Sequence, residues 1–422
     1  MKVDIVIIGG GPAGLAAALS AYKAGVTHVM VLERDFELGG ILPQCIHDGF
    51  GNFVFGEMLT GPEYAQRYIA EMENTGITVM LNSMVVDLDS DKKVTAVNPE
   101  QGVVTLEAKA VILAMGCRER TRSQILIPGE RPSGIYTAGV AQRFINMEGL
   151  LPGKKVVVLG SGDVGLIMAR RFTLEGAEVE GVYEILPRPG GLTRNVVQCL
   201  EDYGIPLHLS HTIVDIKGKE RVEGVTVAQV DERFRPVPGT ERYIPCDTVL
   251  LSVGLIPENE LSKRVDIEMD LITGGPVVDE SMQTSVPGIF ACGNVVHVHD
   301  LVDDVSRAAE VAGKGAAAYI KETLERRDTV ISVKKGRNVS YVVPQIIRGY
   351  AREDIVLYLR VKEIEKNVKV VVSSEGEIIK ERRERIVRPP EMIKVQVGKD
   401  MLEKVKDGLQ VDVSGSDAGS GV

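Results

Sequence analysis

Cysteine is scarce in this sequence, and the few cysteines stand alone. The 422 residues include 5 of them, an odd number, with no C-x-x-C pair and no spacing typical of a zinc site. A chain of this length can bury a core large enough to fold without disulfides or a structural metal. Lone cysteines indicate free thiols in a reducing compartment, so we expect a cytoplasmic protein that binds no metal.

Long apolar runs and an excess of positive charge are also missing. No stretch reaches the roughly 18 apolar residues that a membrane-spanning helix needs. The apolar N-terminal segment contains Asp4, several glycines and Pro12 instead of a signal-peptide cleavage site. The net charge is −10, and an acidic surface repels phosphate backbones. We therefore expect neither a transmembrane segment nor a nucleic-acid partner.

Glycine, in contrast, is abundant. The chain has 45 glycines without the period of collagen, within an ordinary composition of 44% hydrophobic and 26% charged residues. Such an excess indicates positions where the backbone turns sharply or approaches a ligand closely. At roughly 150 residues per domain, the length suggests about three domains.

The N-terminal block predicts a strand, a tight turn, a helix and a strand. Val3–Ile8 is a short apolar run typical of a strand buried on both faces, Ala13–Ala24 is an Ala-rich helix, and Val29–Leu32 is the next strand. A second copy of the pattern begins at Lys155. Its strand, helix and strand are Val156–Leu159, Val164–Glu175 and Glu178–Tyr183. Two copies predict two dinucleotide-binding domains.

Each copy carries a glycine motif between its first strand and its helix. The motifs are Gly9-x-Gly11-x-x-Gly14 and Gly160-x-Gly162-x-x-Gly165. The first Gly permits the tight turn, the second lets a pyrophosphate approach the backbone, and the third allows close packing of helix on strand. The helix N-terminus attracts the anion. A packing turn is the alternative for the first copy, and a degenerate scaffold is the alternative for the second.

An acidic residue follows each motif at the same distance. Glu33 lies 22 residues after Gly11, and Glu184 lies 22 residues after Gly162. A carboxylate at this strand end accepts hydrogen bonds from an adenosine ribose and repels a 2′-phosphate. Glu184 therefore favours NADH over NADPH, although the nearby Arg188 is of the residue type that accepts a 2′-phosphate.

The other elements fall into two groups. Further strands are predicted at Thr78–Leu81, Ala110–Ala114, Thr248–Ser252 and Gly288–Ala291, and a long amphipathic helix at Asp304–Arg326. After the helix, apolar and polar residues alternate, which predicts antiparallel strands. These strands are Val339–Val343, Ile355–Val361, Val368–Val372 and Ile393–Val397. Ser374–Gly376 predicts a hairpin turn, and the charged run Lys380–Arg385 predicts a solvated strand edge.

Two strand ends point to a flavin in the first domain. Val111–Gly116 reads VILAMG, and Thr284–Asn294 reads TSVPGIFACGN. These segments resemble the flavin-binding strand ends of the pyridine nucleotide–disulfide reductase superfamily, flavoproteins with two dinucleotide-binding domains. The resemblance covers residues 1 to about 325. It implies FAD and NAD(H) as cofactors, and it places Asn294, where the family usually has Asp, at the ribityl chain and pyrophosphate of the flavin.

The redox pair of the disulfide reductases is missing. After Gly39-Gly40 the chain reads ILPQCIHDGFG, with Cys45 as its single cysteine, and Cys199 and Cys246 stand alone. Dithiol exchange needs a pair, so disulfide reduction is not expected. Cys45 with His47 could support thiolate and sulfenic acid cycling, as in single-cysteine flavin peroxidases. A small residue packed beneath the flavin ring is the equally weighted alternative.

A cluster of histidines and aspartates resembles a metal site. His297-x-His299-Asp300 is followed by Asp303-Asp304, but no third ligand stands at metal spacing. We interpret the cluster as lining of the flavin pocket, with an Asp that caps the following helix.

Longer segments narrow the resemblance to one branch of the superfamily. They are GGILPQCIHDGFG, GCRERTRSQILIPGERPSGIYTAG and ACGNVVHVHD. They resemble flavin subunits that work with glycerol-3-phosphate dehydrogenases and NADH oxidases, which are similar to subunits of opine oxidase and hydrogen cyanide synthase. The resemblance implies that a second dehydrogenase is the partner. Residues 330–422 contain no His, so the catalytic His of disulfide reductases is absent, and this region is either a docking module or a stabilising cap.

The sequence thus predicts an α/β fold with two Rossmann-like domains for FAD and NAD(P), one inserted in the other, and a small β-rich C-terminal domain. The expected limits are 1–117 with 255–328 for FAD, 118–254 for NAD(H), 329–413 for the β-rich domain and 414–422 for a disordered tail. The expected function is that of an FAD-dependent NADH:acceptor oxidoreductase within a heteromeric complex. The alternatives are a stand-alone peroxidase or oxidase using Cys45 and a non-catalytic assembly subunit.

The candidate site residues follow from these motifs. The catalytic candidates are Cys45 and His47. The cofactor-binding candidates are Gly9, Gly11, Pro12, Ala13, Gly14, Glu33, Arg34, Gly40, Val85, Ala114, Gly116, Gly293, Asn294, Asp303, Gly160, Gly162, Asp163, Gly165 and Glu184.

Overall fold

A computed structural model describes residues 1–324, 326–349, 353–403, 405 and 408–415. The chain forms two compact units, Met1–Cys117 with Pro257–Val422 and Arg118–Ile256. The finer domain limits given above stay predictions.

Both units contain strands and helices, and strands predominate in the described part of the last hundred residues. The strands are β1 (Lys2–Ile8), β2 (Val29–Leu32), β3 (Asp48–Phe50), β4 (Leu59–Thr60), β5 (Thr78–Met80), β6 (Met84–Leu88), β7 (Lys93–Asn98), β8 (Gly102–Leu113), β9 (Cys117–Glu119), β10 (Ile135–Thr137), β11 (Lys155–Leu159), β12 (Glu178–Glu184), β13 (Leu207–Leu209), β14 (His211–Lys217), β15 (Gly224–Gln229), β16 (Arg242–Pro245), β17 (Thr248–Leu251), β18 (Leu255–Pro257), β19 (Ile289–Ala291), β20 (Arg326–Lys335), β21 (Val339–Val343), β22 (Ile346–Gly349), β23 (Ile355–Val361), β24 (Glu365–Ser374), β25 (Glu377–Val387), β26 (Ile393–Val397) and β27 (Gly408–Gly415). The α-helices are α1 (Pro12–Lys23), α2 (Gly61–Glu73), α3 (Ala138–Asn146), α4 (Asp163–Leu174), α5 (Thr193–Cys199), α6 (Glu260–Arg264), α7 (Val302–Ile320) and α8 (Lys399–Leu402).

The first unit is built around a sheet in the order β5-β2-β1-β8, with β19 parallel to β8 and the antiparallel strands β7 and β6 beyond it. Ile8 pairs with both Leu32 and Leu113, and Leu113 pairs with Ala291. The four parallel strands therefore end at one edge of the sheet. The segments that follow them, which carry most candidate residues, all start from that edge.

Helices α1 and α7 pack closely because small residues lie where they meet. A Cβ added at Gly313 of α7 would lie 2.4 Å from the carbonyl oxygen of Ala17 in α1. Ala16, Ala17, Ala309 and Ala312 are all buried. This contact holds α7 against α1, the helix that follows the first glycine turn.

The helix α7 ends earlier than the predicted Asp304–Arg326. Glu322 has φ of +54°, a left-handed conformation that a helix cannot continue through. The N–H of Thr323 donates to the carbonyl of Ala318 at 2.9 Å, which closes the end of the helix. The predicted length was wrong because an amphipathic pattern does not reveal a left-handed residue.

The second unit contains a parallel sheet in the order β10-β17-β11-β12-β13 and an antiparallel sheet of β14, β15 and β16. Leu159 of β11 pairs with Tyr183 and with Leu251, so these three strands also end at one edge. Helices α3 and α4 pack on this sheet around Phe172, which is fully buried.

The C-terminal residues form two sheets with a hydrophobic core of their own. Their orders are β22-β20-β27-β24-β25 and β21-β23-β26. Glu375 and Gly376 both have positive φ, the conformation of a tight hairpin turn between β24 and β25. The strand β25, which carries Lys380–Arg385, lies at a sheet edge as predicted.

The predicted tail overlaps the last strand. Ser414 and Gly415 pair with Lys369 and Val368 in β24, so disorder is wrong for these two residues. Residues 416–422 lie outside the described ones. In the described part of the chain, no helix is both long and apolar enough to cross a membrane.

Candidate functional site

The first glycine turn leaves no room for a side chain at its first and third glycines. Gly9 has φ of +107°, and a Cβ there would lie 2.4 Å from the carbonyl oxygen of Ala114. A Cβ at Gly14 would lie 1.8 Å from the carbonyl oxygen of Gly9. Gly11 faces Gly40, whose Cα lies 3.6 Å from the position of the missing Cβ. The turn therefore presents bare backbone, which is the surface that a pyrophosphate approaches.

The helix α1 begins directly at this turn. Pro12 occupies its first position, where the missing N–H costs no hydrogen bond, and the first turn contains no acidic residue. Ala13 is buried, and a Cβ at Gly293 would lie 2.9 Å from the Cβ of Ala13. Glycine at 293, with φ of +72°, thus lets the end of β19 approach the N-terminus of α1.

Glu33 is buried beneath the turn. One carboxylate oxygen accepts the N–H of Gly10 at 2.6 Å, and the other accepts the N–H of Asp35 at 2.8 Å. A carboxylate has roughly four acceptor positions, so hydrogen bonds to a ribose remain available. Arg34, the next residue, is exposed.

Asn294 is held by two neighbours. Its side-chain oxygen accepts the backbone N–H of His299 at 3.0 Å and lies 3.3 Å from the ring Nδ1 of His299. Its amide nitrogen lies 3.6 Å from the sulfur of Cys117. The side chain is partly exposed, so this amide is fixed in orientation and still accessible to a ligand.

Three other candidates lie in different settings. Asp303 is buried, and its carboxylate accepts the N–H groups of Gly51 at 3.2 Å and Val54 at 2.9 Å, so it ties the loop 51–54 to α7. Gly116 has φ of +70° with open space around it. Val85 lies in β6 with its side chain in the hydrophobic core.

The thiol of Cys45 lies in a setting that opposes ionisation. Its sulfur donates to the carbonyl of Ile41 at 3.3 Å, and burial raises the pKa of Cys45 to about 12. The Nδ1 of His47 lies 3.0 Å from the carbonyl oxygen of Asp48, and the ring packs against Phe50 at 5.0 Å. A thiol with a raised pKa is a poor nucleophile at neutral pH.

His297 and His299 form a buried pair with ring centroids 4.1 Å apart. Tyr341 and Tyr358 surround the two rings at 5.5 to 5.8 Å. Burial lowers the pKa of His299 to about 3 and lowers that of His297 well below its ordinary value. Both nitrogens of His297 and the Nε2 of His299 have no partner among the described residues. Buried polar atoms of this kind indicate a missing water or ligand.

The capping prediction for this cluster is wrong. Helix α7 begins after Leu301 without a side-chain cap, and Asp300 instead accepts from Arg360 and from the N–H of Met392. Asp300 pairs with Arg360 because a charge-assisted hydrogen bond from a buried guanidinium is stronger than one from a neutral backbone N–H at a helix end. Of the described residues, no three or more His, Cys, Asp or Glu come together as a metal site.

The second glycine turn repeats the geometry of the first. A Cβ at Gly160, with φ of +88°, would lie 2.2 Å from the carbonyl oxygen of Ser252. Gly162 and Gly165 also pack against Ser252, whose hydroxyl oxygen accepts the N–H of Gly165 at 3.1 Å. Glu184 is buried. These backbones again form a surface that only glycine permits.

Ser161 joins Glu184 to a loop, and the sequence motifs did not reveal it. One oxygen of Glu184 accepts the N–H of Ser161 at 2.8 Å and its hydroxyl at 2.6 Å, and the other accepts the N–H of Leu186 at 3.0 Å. The hydroxyl oxygen of Ser161 accepts the N–H of Gly190 at 2.7 Å. The signal that could have found this loop is Gly190-Gly191, which repeats Gly39-Gly40 of the first copy.

Asp163 lies at the first position of α4, where the first copy has Pro12. Its Oδ1 accepts the N–H of Leu192 at 2.8 Å and the side-chain amide of Asn195 at 2.6 Å. The second helix N-terminus thus carries a negative charge that the first does not.

Both turns fit dinucleotides. In each, an added Cβ atom at the first or the third glycine would lie within 2.4 Å of a neighbouring atom. The acid is buried in both copies, and the helix starts at the residue after the second glycine. The unpartnered nitrogens of His297 and His299 lie in the segment after Asn294, which the resemblance assigns to the flavin. The donor set therefore suits FAD in the first unit and a nicotinamide dinucleotide in the second.

Comparison with known proteins agrees with this geometry. A family model described as pyridine nucleotide-disulphide oxidoreductase matches residues 3–316. The hydrogen cyanide synthase subunit HcnB of Pseudomonas protegens is 27% identical over 347 residues, which cover 76% of this chain and 70% of that protein. An opine oxidase subunit of Agrobacterium tumefaciens is 26% identical over 370 residues, with 82% and 71% covered.

A solved structure shares the fold. The thioredoxin reductase of T. acidophilum superposes with a TM-score of 0.60 at 23% identity, covering 76% of this chain and 98% of that one. The predicted fold class, two Rossmann-like dinucleotide domains with additional β structure, is confirmed.

Proposed function

Because the chain belongs to the pyridine nucleotide-disulphide oxidoreductase family, we propose that it is an FAD-dependent NADH:acceptor oxidoreductase. Members of this family use FAD and NAD(P)H, and the chain is an oxidoreductase of this type. The observation that carries the proposal is the presence of two complete dinucleotide turns in a chain that has no cysteine pair at the spacing of a redox disulfide.

The first turn would hold the FAD. Gly9, Gly11 and Gly14 give the pyrophosphate its bare backbone, Glu33 would accept the adenosine ribose, and Asn294 would meet the ribityl chain. When bound, FAD supplies the chemistry that accepts a hydride and passes electrons onward. The protein contributes orientation, exclusion of water and a fixed polar environment.

The second turn would hold NADH. Glu184 is held by hydrogen bonds from Ser161 and Leu186. A carboxylate at this strand end would repel a 2′-phosphate, while the 2′-OH of NADH can donate to it. The proposal therefore names NADH as the reductant.

The acceptor is proposed to be O2, a dye or a redox centre of a partner protein. Reduction of peroxide through Cys45 has little support, because burial raises the pKa of this thiol to about 12. Disulfide reduction would need a second cysteine near Cys45, and the segment 39–61 contains none.

A heteromeric complex is proposed from the similar proteins. HcnB is by its name a subunit of a hydrogen cyanide synthase, and the opine oxidase relative is likewise a subunit. We propose that this chain also works beside a second dehydrogenase. The finer expectation, an NADH oxidase that works with a glycerol-3-phosphate dehydrogenase, rests on the sequence resemblance alone.

Anaerobic titration of the purified, flavin-loaded protein with NADH tests the proposal. We expect the flavin absorbance at about 450 nm to bleach with one NADH per flavin. Flavin that stays oxidised with NADH but bleaches with dithionite would contradict the proposal and favour a non-catalytic role in assembly. Cys45→Ser should leave this titration unchanged. In a separate assay of NADH oxidation with peroxide, a loss of turnover in Cys45→Ser would favour the peroxidase.

A further inference from the structure

Arg360, in strand β23 of the C-terminal region, reaches into the first unit's candidate site. Its guanidinium donates to Asp300 and to the carbonyl of Val298 at 3.2 Å. On the other side, it donates to the hydroxyl of Tyr341 at 3.1 Å and to the carbonyl of Pro390. The side chains of Arg360 and Asp300 are 17% and 15% exposed, so this is a largely dry contact.

Asp300 is held by the C-terminal region at both of its oxygens. One oxygen accepts from Arg360, and the other accepts the N–H of Met392 at 2.6 Å. The carboxylate has lost most of its water and depends on these donors. A buried charge without its partners is strongly unfavourable, so the segment before Asp300 cannot move independently of β23.

Asp300 is connected to Asn294 through one residue, His299. His299, the neighbour of Asp300, donates its backbone N–H to the side-chain oxygen of Asn294 at 3.0 Å. The rings of His297 and His299 lie against Tyr358, at 5.6 and 5.5 Å. The amide of Asn294 is thus oriented by a segment whose far end is fixed by Arg360.

A second ion pair fixes the helix α7, which follows this segment. Lys394 of β26 donates to both oxygens of Asp304, at 2.8 and 3.1 Å, and the side chain of Asp304 is 4% exposed. The next residue toward the N-terminus, Asp303, holds the N–H groups of Gly51 and Val54. The segment from Asn294 to Asp304 is therefore fastened at Asp300 and at Asp304 to the C-terminal sheet formed by β21, β23 and β26.

We propose that Arg360 is a positioning residue for the flavin site: the C-terminal sheet completes that site by fixing Asp300 and, through His299, the amide of Asn294. This inference rests on the proposed use of FAD by the first unit. It assigns the C-terminal region a role inside the chain, in addition to any contact with a partner.

Affinity for FAD tests the proposal in the full-length chain. FAD is removed from the purified protein and added back in increments, and binding is followed by the quenching of flavin fluorescence. Arg360→Met should raise the Kd for FAD by roughly tenfold or more, since the segment loses its buried anchor. Arg360→Lys keeps the positive charge but not the planar set of N–H donors, so its affinity for FAD should lie between those of Arg360→Met and the wild type.

Lys369→Met is the matched control. Lys369 pairs with Glu381 at 3.0 Å within the other C-terminal sheet, so the same kind of charge is removed at a distance from Asp300. The control should keep the wild-type Kd. The visible spectrum of bound flavin should shift in Arg360→Met and not in Lys369→Met, which a loss of stability alone would not produce.

The double variant Arg360→Met with Asp300→Asn covers the case in which the single variant does not fold. It removes both charges and leaves neither buried alone, which proteins tolerate better. Weakened FAD binding in this variant supports the proposal. A wild-type Kd and spectrum in a folded variant would overturn it while leaving the proposed function intact. A wild-type chain that binds no FAD would overturn both.

Discussion

The two glycine turns of the molecule follow one plan, and two of the differences between them change polar groups. Gly9, Glu33 and the pair Gly39-Gly40 each have a counterpart 151 positions later, at Gly160, Glu184 and Gly190-Gly191. In both copies, the acid accepts a backbone N–H from the residue after the first glycine and another from two residues beyond itself.

The first difference is at the residue after the first glycine. Gly10 gives Glu33 only its N–H, whereas Ser161 gives Glu184 both an N–H and a hydroxyl and also receives the N–H of Gly190. The second acid is therefore held more firmly and tied to a neighbouring loop.

The second difference is at the helix start. The first turn of α1 contains no acid, and the first turn of α4 contains Asp163. A negative charge there opposes the binding of pyrophosphate at the helix N-terminus. This difference is what we expect if, as proposed, the first turn binds a resident cofactor and the second a dinucleotide that leaves after each turnover.

The largest effect is expected from the third glycine of each motif. Gly14→Ala forces a Cβ to within 1.8 Å of the carbonyl oxygen of Gly9, so we expect flavin content to fall below about a tenth of wild type. Gly165→Ala, 2.4 Å from the Cβ of Ser252, should keep its flavin and lose reduction by NADH. Flavin absorbance of the purified proteins, with dithionite as the control reductant, measures both. Equal flavin loss in both variants would refute the assignment of one cofactor to each turn.

Removing the charge of the second acid should change the choice of nucleotide. Glu184→Gln should lower the preference for NADH over NADPH by about 10- to 100-fold, because the repulsion of the 2′-phosphate disappears. Rates of anaerobic flavin reduction with each nucleotide measure the ratio. Glu33→Gln is the matched control and should leave the ratio unchanged. An unaltered preference in Glu184→Gln would point to Arg188 or another residue as the selector.

Exchanging the charge at the helix starts should have a smaller effect. Asp163→Asn should tighten NAD+ binding by about two- to fivefold, since a charge at a helix N-terminus contributes roughly 0.3–1 kcal/mol. The reverse change, Pro12→Asp, should weaken FAD binding by a similar factor. Calorimetric titration measures both constants. Weaker NAD+ binding in Asp163→Asn would show that Asp163 serves the loop at Leu192 more than it opposes the ligand.

The smallest effect is expected at Cys45, beyond the first turn. Its thiol, with a pKa raised to about 12, stays protonated at neutral pH, and the stability that this protonation gives is lost only as the pH rises above the ordinary value of 9.0 toward 12. Cys45→Ser should therefore keep NADH turnover within about twofold. Alkylation of Cys45 at pH 8, followed by peptide mass spectrometry, should be slow in the folded protein. Rapid alkylation together with lost turnover would restore the peroxidase hypothesis.

The parts of the site that could be predicted are those that the backbone requires. Glycines at positive φ, such as Gly9, and acids at strand ends, such as Glu184, can be predicted from the sequence because few other residues fit there. Spacing along the chain also revealed both turns and the strands around them. The alternation of apolar and polar residues predicted the strands β21, β23, β24 and β26, but not which strands pair, and β20 and β27 pair in parallel.

The parts that could not be predicted depend on distant partners. An Asp of the cluster after Asn294 was expected to cap α7, but α7 has no side-chain cap, and Asp300 instead accepts from Arg360, which lies 60 positions away. The position of Arg360 is set by how the C-terminal sheet packs. The hydroxyl of Ser161 and the left-handed Glu322 at the end of α7 leave no periodic signal either. Tertiary contacts decide such positions, and local preference does not.

The central claim is that one chain transfers hydride from NADH at the second turn to FAD at the first. Rapid anaerobic mixing of the flavin-loaded protein with NADH and with NADH deuterated at nicotinamide C4 tests it most directly. The account predicts single-turnover bleaching of the flavin that is slower with the deuterated donor and much slower with NADPH. Flavin that remains oxidised after mixing with NADH, but is reduced by dithionite, would contradict it.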